Sequence, residues 1–159
     1  MTNNDVLRSI RYTFDFSDSK MIEIFGLGDH SVSREQVADW LKKEDGPGYK
    51  NCGDSHMAKF LDGFIIFRRG KKEGIQPKPE KHLTNNMILK KLKIALNLQA
   101  EDVLEIMTLA DLRMSKHELS AFFRKADHKN YRDCKDQILR NFLKGMCLKY
   151  RAETGLKAD

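Results

Sequence analysis

Aspartate, tyrosine and cysteine recur in this chain at one fixed spacing, Asp-x3-Tyr-x2-Cys-x-Asp, each time followed by x5-Phe-Leu-x-Gly. The first copy holds Asp45, Tyr49, Cys52, Asp54, Phe60, Leu61 and Gly63. The second holds Asp127, Tyr131, Cys134, Asp136, Phe142, Leu143 and Gly145, so the offset is 127 − 45 = 82 at every position. A cysteine just ahead of a helix gains thiolate character from the helix N-terminus, and nucleophilic chemistry is what it could then do. That chemistry needs a base, and no histidine stands at matching positions of both copies. The plain structural reading fits better. Each Cys closes a loop as a small buried hydrophobe, and each Tyr plugs the gap between two helix ends with its hydroxyl on a loop carbonyl. Asp54 and Asp136 read as N-caps. Asp45 and Asp127 lie near a helix end where the dipole opposes negative charge, so each needs a brace from Lys43 or Lys125, or from loop amides. Gly63 and Gly145 fall mid-helix, where glycine costs about 1 kcal/mol relative to alanine. Close approach of another backbone is the physical reason for keeping them.

Other reaction classes leave no pattern. The histidines are His30, His56, His82, His117 and His128, and none repeats at the 82-residue offset. There is no Cys-x2-Cys, no His-Glu-x2-His and no Asp-rich calcium loop. Gly46-Pro47-Gly48 is a turn signal, and Gly26-x-Gly28 does not follow a strand, so neither is a phosphate loop. No catalytic residue, metal ligand or cofactor is assigned, and an enzyme is not expected.

Charge gives one positive hint. The net charge is +6, split as +1 over residues 1–82 and +5 over residues 83–159. Lys90, Lys91 and Lys93 crowd one helix of the second half, and Arg140 and Lys144 decorate another. These five form a candidate polyanion-binding set, touching phosphates rather than reading bases. Interleaved acidic residues make a merely solvated face the competing reading.

Helices must position all of this. The 82-residue offset runs without gaps from Asn3/Asn85 to Arg69/Arg151, an internal duplication. Each repeat reads as four helices. The first begins after the Asn3-Asn4 or Asn85-Asn86 pair, taken as its N-cap, with Val6, Leu7, Ile10 and Phe14 on its apolar face. The second spans about Asp18 to Leu27, and again about Glu101 to Ala110. The third opens on the capping boxes Ser33-x2-Gln36 and Ser115-x2-Glu118. The fourth begins at Asp54 or Asp136, and Cys147 falls on its apolar face in the second copy. Pro77 and Pro79 break a charged connector. The expected fold is all-α: an internal duplication of a four-helix repeat. Residues 1–70 form the first repeat, 71–84 the connector and 85–152 the second repeat. The two repeats are packed with pseudo-two-fold symmetry, with Ile66 and Phe67 as interface candidates. A repeat of this length is marginal alone, which favours such packing. Three cysteines, no signal-like N-terminus and no apolar run of membrane-spanning length place the chain in the cytoplasm, by expectation.

Several stretches together resemble a known family. Asn3-Asn4-Asp-Val-Leu-Arg-Ser-Ile-Arg-Tyr12, Trp40-Leu-Lys-Lys-Glu-Asp45, Phe60-Leu-Asp-Gly63, Asn85-Asn-Met-Ile-Leu-Lys-Lys-Leu-Lys93 and Asp127-His-Lys-Asn-Tyr-Arg-Asp-Cys134 resemble the YehS-like proteins. These are small bacterial proteins built from two copies of a domain of unknown function. The resemblance implies a duplicated helical protein and brings no activity, cofactor or catalytic residue. The functional expectation is a non-enzymatic binding or regulatory protein, acting as a protein-interaction module through a protein partner or self-association. Nucleic-acid binding through the basic second repeat is the alternative, and no membrane partner is expected.

Overall fold

The computed structural model describes residues 1–74 and 78–156; Pro77 and the last three residues of the polar tail lie outside the described residues. Among the described residues every regular element is a helix. They run α1 Asn3–Phe14, α2 Asp18–Leu27, α3 Arg34–Leu41, α4 Asp54–Arg69, α5 Asn85–Ala95, α6 Ala100–Leu109, α7 Lys116–Ala121 and α8 Asp136–Glu153. The chain divides into two compact units, Met1–Leu83 and Thr84–Asp159. Much of the connector groups with the first unit, where the Leu83 backbone N–H donates to Asp54 Oδ2 at 2.9 Å.

Each unit builds four helices in the same order, and several of the local signals repeat. Ser33 and Ser115 accept from the backbones of Gln36 and Glu118, and those side chains accept in return, so both capping boxes close. The turns after the first two helices need a left-handed residue, and asparagine or aspartate supplies it at matched positions. Asp15 (φ 53°) matches Asn97 (φ 54°), and Asp29 (φ 59°) matches Asp111 (φ 61°).

Two expected caps lie elsewhere. α1 is capped by Thr2, in a box with Asp5, and α5 by Thr84. Asn3-Asn4 and Asn85-Asn86 therefore occupy the first helical turn. Likewise Gly53 and Lys135, not Asp54 and Asp136, stand at the N-cap positions of α4 and α8. The displaced side chains are turned to tertiary bonds instead.

In the first unit the core lies where α2 crosses α4. Phe25 meets Phe60 at 4.9 Å and Trp40 at 5.4 Å between ring centroids. In the second unit the buried core is mostly aliphatic, with Leu89, Leu92, Ile106, Leu139 and Met146 buried alongside Phe142. Each such buried side chain contributes about 1.5–3 kcal/mol. The crossing depends on glycine. A Cβ added to Gly63 would lie 1.9 Å from the Ile24 carbonyl oxygen, and one on Gly145 would lie 1.9 Å from the Ile106 carbonyl oxygen. Backbone touches backbone there, as the two mid-helix glycines require.

Candidate functional site

The duplicated stretch is a knot tied by one asparagine in each unit. Asn4 is fully buried. Its amide donates to the Trp40 carbonyl at 2.9 Å and the Lys50 carbonyl at 2.8 Å, and its Oδ1 accepts from the Cys52 backbone N–H at 2.9 Å. Asn86 repeats this with Phe122 at 3.0 Å, Arg132 at 2.8 Å and the Cys134 N–H at 2.9 Å. The neighbouring Asn3 donates to the Cys52 carbonyl at 3.0 Å and Asp54 Oδ1 at 2.8 Å; Asn85 donates to Cys134 at 2.9 Å and Asp136 at 2.8 Å. That amide holds the Asp136 carboxyl below the usual carboxylate range. Thus α1 grips the whole loop between α3 and α4 by its backbone, and α5 does the same for the loop before α8.

Within the knot the cysteines are enclosed. Cys52 and Cys134 are buried, and each thiol points to the carbonyl of the next residue at 3.8 Å. Burial, then the following aspartate, pushes Cys52 up to about 12 and Cys134 up to about 11. A thiol in that state is not a nucleophile at neutral pH. Tyr49 and Tyr131 are half-buried, each N–H closing a turn on the residue three back. The Tyr131 hydroxyl interacts with the Asp133 carboxylate. Burial first and this contact second raise its phenol above the ordinary range. Asp45 and Asp127 lie exposed in a turn beyond the helix end, so the dipole conflict does not arise. Cys147 is half-buried rather than buried.

The basic set divides. At about 100° per residue, Arg140 and Lys144 fall within about 40° of each other on α8 and are exposed, with Arg151 between them. Lys90, Lys91 and Lys93 spread over about 160° of α5. Lys90 is exposed, whereas Lys91 and Lys93 are half-buried, and Lys93 Nζ lies 5.6 Å from the centre of the Phe123 ring. One stripe on α8 therefore exists; a second on α5 does not.

Two features were not legible in the spacing. The first is an open apolar cleft of about 540 Å³ in the second unit, lined by Leu104, Glu105, Ile106, Thr108, Leu109 and Lys149. Leu109 is 49% exposed, and its repeat counterpart Leu27 is 38% exposed. In the first unit Phe67, 36% exposed, stands where Lys149 stands in the second. Its ring packs edge-on against Phe16 at 5.6 Å. The second feature is a contact between His30 and His56, Nε2 to Nδ1 at 2.7 Å. The counterparts of these residues are Leu112 and Ile138, so the offset comparison hides the pair.

Comparison with known proteins agrees with this duplication. The family described as "Protein of unknown function (DUF1456)" matches twice, over residues 3–70 and 85–152. The chain belongs to the DUF1456 family. It is 41% identical over 156 residues to the uncharacterized protein YehS of Escherichia coli (strain K12), covering 98% of this chain and all of that protein. No solved structure matches it. The two family matches bracket the two knots, beginning at Asn3 and Asn85, the asparagines adjoining the buried Asn4 and Asn86. No helix among the described residues is long and apolar enough to cross a membrane.

Proposed function

We propose that this DUF1456 protein is a non-catalytic protein-interaction module, receiving apolar side chains of a protein partner on the outer seam between the second and fourth helices of each repeat. One observation carries the reading. A large leucine is exposed at the same position of both repeats, Leu27 and Leu109, in the second unit beside an open apolar cleft. Neither leucine belongs to the buried core, to which α2 contributes Met21, Ile24 and Phe25 and α6 contributes Val103, Ile106 and Met107. Two copies of one fold act as two trials of what that fold requires, and both keep exposed apolar surface here. Identical glutamates, Glu23 and Glu105, flank the two seams. The buried, protonated cysteines oppose a catalytic reading of the duplicated motif.

A second reading rests on the α8 stripe of Arg140, Lys144 and Arg151, which suits phosphate contacts in a half of net charge +5. One experiment separates the two. A photo-crosslinking amino acid is placed at Leu109 and, in a second variant, at Lys144, and the full chain is irradiated in cells. The first reading expects a discrete protein adduct from the Leu109 position, lost when the neighbouring cleft substitution Leu104→Glu is added without change in thermal stability. Nucleic-acid adducts from the Lys144 position, with none from Leu109, would replace it with the second.

A further inference from the structure

His30 and His56 meet head-on. An imidazole nitrogen lies about 1.1 Å from its ring centre, so the 2.7 Å contact and one such span on either side together account for the 4.9 Å between the two ring centres. With an interplanar angle of 15° the rings are coplanar neighbours, edge to edge, rather than a face-to-face stack. In that geometry one nitrogen donates and the other accepts. A single proton fits between them. Two protonated rings would point N–H at N–H and repel.

Both rings are fixed from several sides. His30 follows Asp29, whose φ is 59°, and the His30 backbone N–H donates to the Phe25 carbonyl at 3.0 Å. The Phe25 ring of α2 lies edge-on to His30 at 5.8 Å. From α3 the Trp40 ring packs on His56 at 4.9 Å. Lys59, on α4, adds positive charge. Of the nearby carboxylates, Asp29 is exposed, and Asp54 already accepts from the Asn3 amide and the Leu83 N–H. A metal ion is not the better occupant, because no cluster of three or more histidines, cysteines or acidic residues exists among the described residues.

The same turn forms without histidines in the second unit. Asp111 has φ 61°, and Leu112 N–H donates to the Met107 carbonyl at 3.0 Å, yet the residues at the two histidine positions are Leu112 and Ile138. The pair is therefore an addition to the fold. It ties the turn that ends α2, where Leu27 sits, onto the first turns of α4.

We propose that His30 and His56 form a proton-sensitive latch that holds the α2–α3 turn against α4 in the first repeat only, releasing that turn and the Leu27 surface in mildly acidic solution. Burial, then His56, then Lys59 hold His30 below the ordinary histidine value of 6.5. The unfolded or opened chain thus takes up the proton first. Stability present above that value is lost as the pH falls through it towards the lower folded value. The latch stands on its own geometry; only its bearing on partner binding rests on the interaction reading.

Hydrogen–deuterium exchange on the full chain tests it, comparing residues 26–33 with residues 108–115 after correction for intrinsic rates. Between about pH 7.5 and about pH 5.5 the first segment should speed up by about threefold or more while the second stays flat. The double variant His30→Leu, His56→Ile installs the side chains that the second repeat carries, and should abolish the difference. Should that variant not fold, titration of the wild-type imidazole ¹⁵N signals decides. Two rings titrating as a coupled pair support the latch, and two independent titrations overturn it. Equal exchange in both segments, or an undiminished response in the folded double variant, also overturns it. These readouts need no partner, so the latch can fail while the interaction reading survives, and the reverse.

Discussion

Substitution of Gly63 by alanine is expected to destabilise the first unit by about 2 kcal/mol, although alanine is the better helix former. The structure supplies both terms. The new Cβ would lie 1.9 Å from the Ile24 carbonyl oxygen and 3.0 Å from the Gly28 nitrogen. Ordinary van der Waals contact begins near 3.4 Å, so α2 and α4 must part by about 1.5 Å at their crossing. The obstacles are backbone atoms, which cannot swing aside as a flexible side chain would. Overpacking of this kind costs about 1–3 kcal/mol or more, whereas the gain in helix propensity is about 1 kcal/mol. For a unit of this size, a net loss of about 2 kcal/mol lowers Tm by about 8–16 °C. Gly26→Ala is the control. It lies in α2 with nothing within 4 Å of its added Cβ, so only the propensity gain remains and Tm should rise or hold. Gly145→Ala should follow Gly63→Ala, because its Cβ would lie 1.9 Å from the Ile106 oxygen, and Gly145→Leu should be worse. Urea titration and differential scanning calorimetry on the four single variants read this directly. Gly63→Ala as stable as the parent, or Gly26→Ala falling alongside it, would refute the reasoning.

Two further outcomes follow from the knot. Asn4→Ala removes three hydrogen bonds at a fully buried position and leaves two carbonyls and an N–H unpaired, so a loss of about 3 kcal/mol is expected in the urea midpoint. Asn86→Ala should cost the second unit a similar amount, and a change below about 1 kcal/mol in either would contradict the assigned bonds. Cys52 and Cys134, with thiols near 12 and 11, should resist iodoacetamide in the folded protein at mildly alkaline pH and react once urea is added; rapid native labelling at either would show the sites open.

The sequence carried the helices well because their signals are local. The Ser33 and Ser115 boxes lie within a few residues of what they determine, and the 82-residue offset repeats in plain view. The asparagine pairs misled for a physical reason. Asparagine is a good N-cap, and nothing nearby shows that Asn4 has partners 36 to 48 residues away. Thr2, with Asp5 three residues on, was the local signal that competed with it. Asp54 misled in the same way, since its bonds run to Asn3 and Leu83. The histidine pair stayed hidden because its members are 26 residues apart and only one repeat has them. Exposure of Leu27 and Leu109 is a property of the assembled seam, so composition could not reveal it.

The asparagine knot has a consequence for which residues are free to change. The loop between α3 and α4 keeps its path because Asn4 holds it by main-chain atoms at Trp40, Lys50 and Cys52. Main-chain grips are indifferent to side-chain identity. That is why Gly46-Pro47-Gly48 in one unit and His128-Lys129-Asn130 in the other follow the same backbone bonds, Gly46 N–H to Lys43 at 2.8 Å and His128 N–H to Lys125 at 2.9 Å. The tip of this loop carries different letters in the two units, and a left-handed turn at Gly48 (φ 81°) that Asn130 does not share, while a single side chain on another helix keeps the loop's path.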